Sequence, residues 1–177
     1  MVRAFIAVEL PSELREKIAV AGSSLKGAGK IMPVAPHNMH ITLKFLGEIS
    51  EKEIETVKSE LAKIKGAPYT VKAAKVSAFG RPPRVIKAEI ADEGKCALLA
   101  SQIENLLAAK GFAREEKKFT PHITIARVKE YSPALTPKIN AVRETEFGEC
   151  TIDKIVLKQS TLTPSGPVYK TLFEVPL

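Results

Sequence analysis

The sequence predicts an α+β fold in which two similar lobes, related by a pseudo-twofold axis, enclose a central cleft. Strand and helix patterns alternate along the 177 residues, and residues 40–50 (HITLKFLGEIS) resemble residues 122–132 (HITIARVKEYS) at an offset of 82. That offset is close to half the chain, which indicates an internal duplication. No glycine-rich phosphate loop follows the first strand, which favours lobes of mainly antiparallel sheet backed by helices over a doubly wound parallel sheet.

The apolar periodicities and the Gly and Pro positions divide the chain into predicted elements. They are strand 3–9, helix 12–27, strand 39–46, a helix that begins after Ser50, strands 69–79 and 84–90, helix 94–110, strand 119–128, a short helix near 133–143, and strands 150–158 and 168–175. Ser12 is the expected N-cap of the first helix, and Ser50 with Glu53 has the spacing of a capping box. Residues 28–38 are expected to be a loop.

The 82-residue offset extends beyond the two similar segments. Without gaps, it carries strand 3–9 onto 85–91 and helix 12–27 onto 94–109, and it places Ser50 on Ser132. We therefore expect a single bilobal domain over residues 1–177. Its repeat units cover about 1–80 and 83–160, and the C-terminal strand 168–175 completes a sheet.

The composition excludes several classes of protein. Hydrophobic residues make up 45% and charged residues 27%, which is typical of a globular domain and not of a disordered chain. No apolar run reaches the roughly 18 residues of a membrane span, and the N-terminal MVRAFIAVELPSEL predicts a strand and not a targeting peptide, so we expect a cytoplasmic protein without membrane contact. The net charge of +7 favours a polyanionic partner.

Two of the three histidines occupy equivalent places in the repeat, and each is followed two residues later by threonine. Because side chains alternate along a strand, His40 and Thr42 share one face, and His122 and Thr124 share the corresponding face. The odd-numbered neighbours are then expected to face the core: Met39, Ile41, Leu43 and Phe45 in one strand, and Phe119, Pro121, Ile123 and Ile125 in the other. If the lobes face each other, the two histidines and two threonines converge on one cleft.

Such a set of side chains suits phosphoester cleavage. A neutral imidazole can accept a proton from water, and a protonated one on the opposite side of phosphorus can give a proton to the leaving oxygen. Threonine hydroxyls can donate to the non-bridging oxygens, where charge develops. Neither motif has a second His, Cys or acidic residue at zinc-ligand spacing. We therefore expect neither a metal nor another cofactor.

The motifs His40-Ile41-Thr42-Leu43 and His122-Ile123-Thr124-Ile125 resemble those of the 2H phosphoesterase superfamily. Further segments narrow the resemblance to the bacterial and archaeal RNA 2′,3′-cyclic phosphodiesterases, long called 2′-5′ RNA ligases: RAFIAV at 3–8, LKFLGE at 43–48, FTPH at 119–122, IAR at 125–127 and GPVY at 166–169. The resemblance covers essentially the whole chain.

This resemblance implies a function and roles for the residues. The reaction would be hydrolysis of a 2′,3′-cyclic phosphate at an RNA 3′ end to a 2′-phosphate, with reversible 2′-5′ joining as a side activity. His40 would be the proton donor to the departing 3′ oxygen, and His122 the proton acceptor that activates water. The residues alone do not distinguish the two roles, because the repeat makes the two histidines nearly equivalent.

Three further residues are candidate substrate contacts. Arg127 follows the second motif, although strict alternation points it away from His122, so a bulge would be needed to turn it towards the phosphate. Lys44 is expected to share the face of His40, and Tyr169, after a Gly-Pro turn, is expected to stack on a base. His37 lacks a threonine partner and is expected to be a loop residue near the cleft, without a catalytic role.

The expected partner is RNA with a 2′,3′-cyclic phosphate terminus, and we expect the chain to act as a monomer. One alternative is a non-catalytic protein that uses the same cleft to bind RNA ends. Another is a ligase as the physiological role, in which case 2′-5′ joined RNA would be the dominant product. No ATP-binding loop is visible, so joining could only be the energy-neutral reversal of a transesterification.

Overall fold

Nine β-strands and four α-helices form the fold, and the computed structural model describes all residues from Met1 to Leu177. In chain order they are β1 (Val2–Glu9), α1 (Ser12–Ser24), β2 (Gly29–Pro33), β3 (His40–Ile49), α2 (Glu51–Leu61), β4 (Tyr69–Phe79), β5 (Val85–Ala91), α3 (Lys95–Ala108), β6 (His122–Tyr131), α4 (Leu135–Val142), β7 (Glu146–Ile152), β8 (Lys154–Thr163) and β9 (Gly166–Pro176). The predicted α+β class is confirmed.

All nine strands belong to one antiparallel sheet whose order follows the duplication. The order is β7-β4-β5-β6-β3-β1-β8-β9, and β2 pairs with β6 outside this path. The motif strands β3 and β6 meet at the centre through the pair Ile41–Ile123, two residues that are related by the 82-residue offset. We call β3, β1, β8 and β9 the sheet of the first lobe, and β7, β4, β5 and β6, with β2, the sheet of the second. The two sheets therefore join at β3 and β6, and the predicted pseudo-twofold relation between the lobes is confirmed.

The helices cover one face of the sheet and form the core with it. The apolar residues of the helices and those strand residues that point towards the helices make one cluster of 36 buried residues, which includes Ile41, Ile123, Ile18 and Ile103. A separate small cluster of Phe5, Ala7 and Val156, with Tyr169 packed against it, lies outside this core. We call the side of the sheet that carries His40 and His122 the cleft face.

Several predicted boundaries are wrong. Residues 29–33 form β2 and not a loop, and the predicted strand 150–158 is two strands, β7 and β8, which lie in opposite halves of the sheet. Ser12 does not cap α1: Pro11 is the N-cap, with φ −64° and ψ 151°, and no side chain caps the helix. By contrast, Ser50 and Glu53 form the predicted capping box of α2.

The ungapped offset of 82 is also wrong for β1 and β5. Glu9 pairs with His40, and Glu89, only 80 positions later, pairs with His122. The segment between β5 and α3 is longer because it contains a turn in which Glu93 and Gly94 have positive φ and the Asp92 carboxylate accepts hydrogen bonds from the backbone N–H groups of Gly94 and Cys96. Equivalent residues of β1 and β5 are therefore 80 positions apart in the sequence, and not 82.

None of the four helices is long and apolar enough to cross a membrane.

Candidate active site

The two motif histidines lie at the centre of the sheet, where each is the first residue of its strand, β3 or β6. Each makes the same backbone contact. His40 Nδ1 lies 2.7 Å from the carbonyl oxygen of Asn38, and His122 Nδ1 lies 2.7 Å from that of Thr120. A carbonyl oxygen only accepts hydrogen bonds, so Nδ1 carries the proton in both neutral rings. This fixes the tautomer and leaves each Nε2 with a lone pair.

The two motif threonines differ in what they contact. The Thr42 hydroxyl donates to His40 Nε2 at 3.0 Å. Thr124 lies on the cleft face beside His122 without a corresponding hydrogen bond, and its cross-strand partner on β5 is Lys87. In this structure, therefore, Nε2 of His122 makes no hydrogen bond within the protein, whereas Nε2 of His40 does.

Burial and nearby charges shift the pKa of both imidazoles. Burial lowers the pKa of His40 from 6.5 to about 4; the hydrogen bond to Asn38 and the Glu9 carboxylate raise it, and the Lys158 ammonium lowers it. The pKa of His122 is also lowered, first by burial and then by Lys87 and Arg127, while its hydrogen bond to Thr120 opposes the shift. Both rings are therefore neutral at pH 7 in the unliganded protein.

Aromatic side chains surround the two imidazoles. Phe5 stacks on His40 with ring centroids 4.8 Å apart, and Tyr169 meets both rings edge-on, at 5.0 Å from Phe5 and 5.4 Å from His40. On the other lobe, Phe79 meets His122 edge-on at 5.0 Å. These contacts hold both imidazole planes in place.

A β-bulge in each motif strand interrupts the alternation of side chains. The register against β1 skips Leu43, and the register against β5 skips Ile125. An extra residue reverses the side of the sheet to which the following side chains point. After Leu43 and after Ile125, side chains that strict alternation assigns to the core therefore point to the cleft face, and the reverse. Phe45 is accordingly 59% exposed, and its predicted place in the core is wrong.

Lys44 is placed in the core by the same bulge. The residue is 3% exposed, and its ammonium donates to Glu104 Oε1 of α3 at 2.5 Å and to the carbonyl oxygen of Ala113 at 2.9 Å. The prediction that Lys44 shares the face of His40 and contacts substrate is therefore wrong, since strict alternation does not continue past Leu43.

Arg127 and Tyr169 both lie at the cleft. The bulge at Ile125 turns Arg127 to the same side as His122, and its guanidinium is exposed. Burial raises the pKa of the Tyr169 hydroxyl, and the positive charge of Arg127, which belongs to the other lobe, opposes that rise. Tyr169 lies within β9 and not in an exposed turn, so its packing on Phe5 and His40 fixes its ring.

Sequence reasoning missed several residues of this site. The missed residues belong to the site because of strand pairing: β1 and β5 flank the motif strands, and β8 and β4 pair with β1 and β5 in turn. They are Glu9, Phe79, Lys87 and Lys158. Glu9 and Glu89 are equivalent in the repeat, because each pairs with a motif histidine. The sequence comparison did not reveal this, since the two glutamates are 80 residues apart and the two histidines 82. His37 lies in a short turn at Pro36–Asn38, just before β3, and is exposed.

No group of three or more His, Cys, Asp and Glu side chains in the chain has the arrangement of a metal site. The groups available for chemistry are two imidazoles and two hydroxyls, with aromatic and charged side chains around them.

Comparisons with known proteins agree with this geometry. Residues 8–87 and 89–169 each match the family described as LigT like Phosphoesterase. Proteins named RNA 2′,3′-cyclic phosphodiesterase are similar to this chain: that of Archaeoglobus fulgidus is 36% identical, over 96% of this chain and 97% of its own length, and that of Thermotoga maritima is 35% identical, over 97% and 94%.

Solved structures show the same fold. TT0787 of Thermus thermophilus superimposes with a TM-score of 0.82 at 32% identity, covering 99% of this chain and 97% of its own. E. coli LigT complexed with 3′-AMP also gives a TM-score of 0.82, at 26% identity, over 99% and 98%. With both halves of the chain matched and relatives above 30% identity over nearly its full length, this chain belongs to the LigT-like phosphoesterase family.

Proposed function

We propose that this chain hydrolyses the 2′,3′-cyclic phosphate at RNA 3′ ends to a 2′-phosphate, without a metal, by general acid–base catalysis with His40 and His122. The observation that carries the proposal is the matched pair of Nδ1–H hydrogen bonds to Asn38 and Thr120, which leaves both Nε2 atoms for the cleft between the lobes. The names of the similar proteins support the substrate class.

In the proposed reaction, the cyclic phosphate lies between the two imidazoles. His122 Nε2 accepts a proton from water as the water oxygen bonds to phosphorus. The bond from phosphorus to the 3′ oxygen breaks on the opposite side, and protonated His40 gives its Nε2 proton to that oxygen. The products are a 2′-phosphate and a 3′ hydroxyl. Each histidine then exchanges its proton with solvent.

Thr42 and Thr124 donate to the non-bridging oxygens, on which negative charge increases in the transition state. Thr42 already has its hydroxyl at the reacting nitrogen, 3.0 Å from His40 Nε2, and turns to the phosphate once that nitrogen is protonated. Arg127 contributes a fixed positive charge at the same phosphate. Tyr169 contacts the terminal nucleoside, since it lies against His40 and Phe5.

The surroundings of the two histidines favour these roles in one respect and oppose them in another. Lys87 and Arg127 lower the pKa of His122, as suits an acceptor, whereas at His40 the Lys158 ammonium lowers the pKa by more than the Glu9 carboxylate raises it. Burial opposes the roles, because it brings the pKa of His40 down to about 4. For His40 to act as the donor, the negative charge of the bound phosphate must raise its pKa again.

Reversible 2′-5′ joining uses the same groups. A 5′ hydroxyl replaces water, its oxygen bonds to phosphorus, and the 3′ oxygen leaves as before. One phosphoester bond is exchanged for another, so no nucleoside triphosphate is consumed.

The proposal includes a monomer in the cytoplasm. Both lobes of one chain supply the site, so no second copy is required. Cys96 and Cys150 are free thiols, as is usual in a reducing compartment.

The test is incubation of the protein, in excess EDTA, with an RNA oligonucleotide that ends in a 2′,3′-cyclic phosphate. We expect multiple turnovers to the 2′-phosphate, identified by ³¹P NMR, and a small amount of 2′-5′ product when a 5′-hydroxyl RNA is added. Exclusive formation of the 3′-phosphate would contradict the regiochemistry, and loss of turnover in EDTA would contradict metal independence. Binding without turnover over hours would identify a non-catalytic RNA-end binder.

A further inference from the structure

Three side chains on the second lobe, Ser77, Phe79 and Lys87, lie beside the active site, and the proposed reaction gives none of them a contact with the substrate. Ser77 of β4 pairs with Lys87 of β5, and Lys87 pairs with Thr124 of β6. Directly opposed residues of neighbouring antiparallel strands point to the same side of the sheet. Ser77, Lys87 and Thr124 therefore form one row on the cleft face.

The Lys87 ammonium is positioned by its neighbours but donates no hydrogen bond to them. The residue is only 7% exposed, and its Nζ lies 4.7 Å from the centroid of the Phe79 ring. Its ionic contact is with Glu89 at 3.8 Å, which is longer than a hydrogen bond. The three N–H groups of Lys87 thus remain available to an acceptor, at the cost of a nearly buried charge.

The neighbouring hydroxyl is also unpartnered. Ser77 Oγ is buried and makes no hydrogen bond within the chain. An unpaired ammonium and an unpaired hydroxyl on adjacent strands are the donors that a phosphate group accepts from.

This pair of donors lies to one side of the reacting phosphate. Neighbouring strands are about 4.8 Å apart, so β5 lies one step, and β4 two steps, outward from the motif strand β6. The Phe79 ring contacts both the His122 imidazole and the Lys87 ammonium, which places the ammonium next to the site without placing it between the histidines.

The first lobe has no counterpart of this arrangement. There Thr42 pairs with Ala7, and Ala7 pairs with Val156, so the equivalent row is apolar. Apart from the ion pair of Glu9 and Lys158, the cleft therefore has an apolar and aromatic wall on the first lobe, whereas the wall on the second carries cations without a close ionic partner. A nucleotide with its base on the first wall would direct its backbone along the second.

We propose that Lys87 and Ser77 form a second anion subsite, which binds the phosphate on the 5′ side of the terminal nucleoside of the RNA. The inference rests on the proposed function and names a preference within it. In an RNA chain that phosphate is the nearest one to the cyclic end, and a free nucleoside 2′,3′-cyclic phosphate lacks it. The subsite makes the enzyme select RNA ends over such mononucleotides.

The test compares kcat/KM for adenosine 2′,3′-cyclic phosphate with and without a 5′-phosphate. In the wild type we expect the 5′-phosphate to raise kcat/KM at least ~10-fold, as one charge-assisted hydrogen bond provides. In Lys87→Met the ratio should fall to about one, in Lys87→Arg it should be partly kept, and in Ser77→Ala it should fall by a smaller factor. Lys52→Met is the matched control, since Lys52 is an exposed lysine of α2, and it should keep the wild-type ratio.

A wild-type ratio of one, or an unchanged ratio in Lys87→Met, would overturn the subsite. Equal losses on both substrates leave the ratio unchanged and would mean that Lys87 acts on the reacting phosphate or only on folding. Failure of both substrates to turn over would contradict the proposed function instead. In that case, calorimetric binding of adenosine 2′,5′-bisphosphate against adenosine 2′-phosphate tests the same subsite, with a ~10-fold preference expected in the wild type and none in Lys87→Met.

Discussion

His40 and His122 make the same hydrogen bond to the backbone two residues earlier, yet their surroundings differ at nearly every other contact. His40 is stacked on Phe5 and hydrogen-bonded to Thr42, whereas His122 has a free Nε2 and two cations nearby. The HxT spacing could predict the shared geometry, because it follows from strand periodicity. The differences between the two histidine environments come from residues of β1, β5 and β8. The local sequence around a motif does not determine which strands lie beside it, so these differences could not be predicted.

The pKa of His40 makes the stability of the protein dependent on pH. The folded-state pKa of about 4 lies below that of the unfolded chain, near 6.5. As the pH falls below about 6.5, the unfolded chain binds the proton first, so the free energy of unfolding decreases until the pH reaches about 4. The loss due to His40 should be no more than about 3 kcal/mol. Urea unfolding at pH 7.5 and pH 4.5 measures it.

His40→Asn is the control, because asparagine keeps a polar side chain and does not titrate in this range. The difference in unfolding free energy between the two pH values should be smaller in this variant than in the wild type. An equal difference in both proteins would show that the folded and unfolded states hold His40 at the same pKa.

Strict alternation of side chains predicts that Arg127 points away from His122, whereas the bulge at Ile125 turns it towards the cleft. If its guanidinium stabilises the phosphate, Arg127→Ala should lower kcat/KM about 10- to 100-fold, as loss of a charge-assisted hydrogen bond does. Arg127→Lys should recover part of the activity, because the charge remains and the planar fork does not. Steady-state kinetics with a cyclic-phosphate oligonucleotide would contradict this role if Arg127→Ala had wild-type kcat/KM.

At the scale of the elements, the sequence predicts most helices and strands but not the details that place the site. The capping box of Ser50 and Glu53 is local, and it forms as predicted. Ser132, its equivalent by offset, does not cap α4, whose N-cap is Ala134. β2 was missed because Gly29 and Pro33 are turn residues by composition, and only pairing with β6 makes the segment a strand. The bulges at Leu43 and Ile125 likewise depend on pairing.

The bulge in β3 is what buries Lys44 against Glu104, where the two side chains are 2% and 17% exposed. Lys44→Met should destabilise the protein by about 3 kcal/mol, because it leaves a nearly buried carboxylate without its partner. Glu104 Oε2 already lacks a hydrogen-bond partner, which makes the remaining charge harder to accommodate. Thermal or urea unfolding of the single variant measures the loss.

The double variant Lys44→Met/Glu104→Met should recover most of that stability, since an apolar pair of similar volume replaces the ion pair. Lys58→Met, which breaks the exposed pair with Glu55, serves as the control and should change stability by less than about 0.5 kcal/mol. A double variant that is no more stable than Lys44→Met would argue against this account of the pair.

At the scale of the whole molecule, duplication provides the symmetry and divergence removes it. The β3–β6 junction brings one HxT motif from each lobe to the centre of a single sheet. The flanking strands then give one wall Phe5, Ala7 and Val156 and the other Lys87, to which the motif strand β6 adds Arg127. The offset of 82 predicts the junction, while the asymmetry depends on individual residues that the repeat does not share.

The measurement that tests the central claim most directly is kcat/KM in excess EDTA for the wild type and for three single histidine variants. His40→Ala and His122→Ala should each lose at least ~100-fold on an RNA ending in a 2′,3′-cyclic phosphate. The double variant should be little worse than either, because the two groups act in one step. His37→Ala, which alters the exposed histidine, should match the wild type. Wild-type kcat/KM in either His40→Ala or His122→Ala would contradict the paired acid–base mechanism.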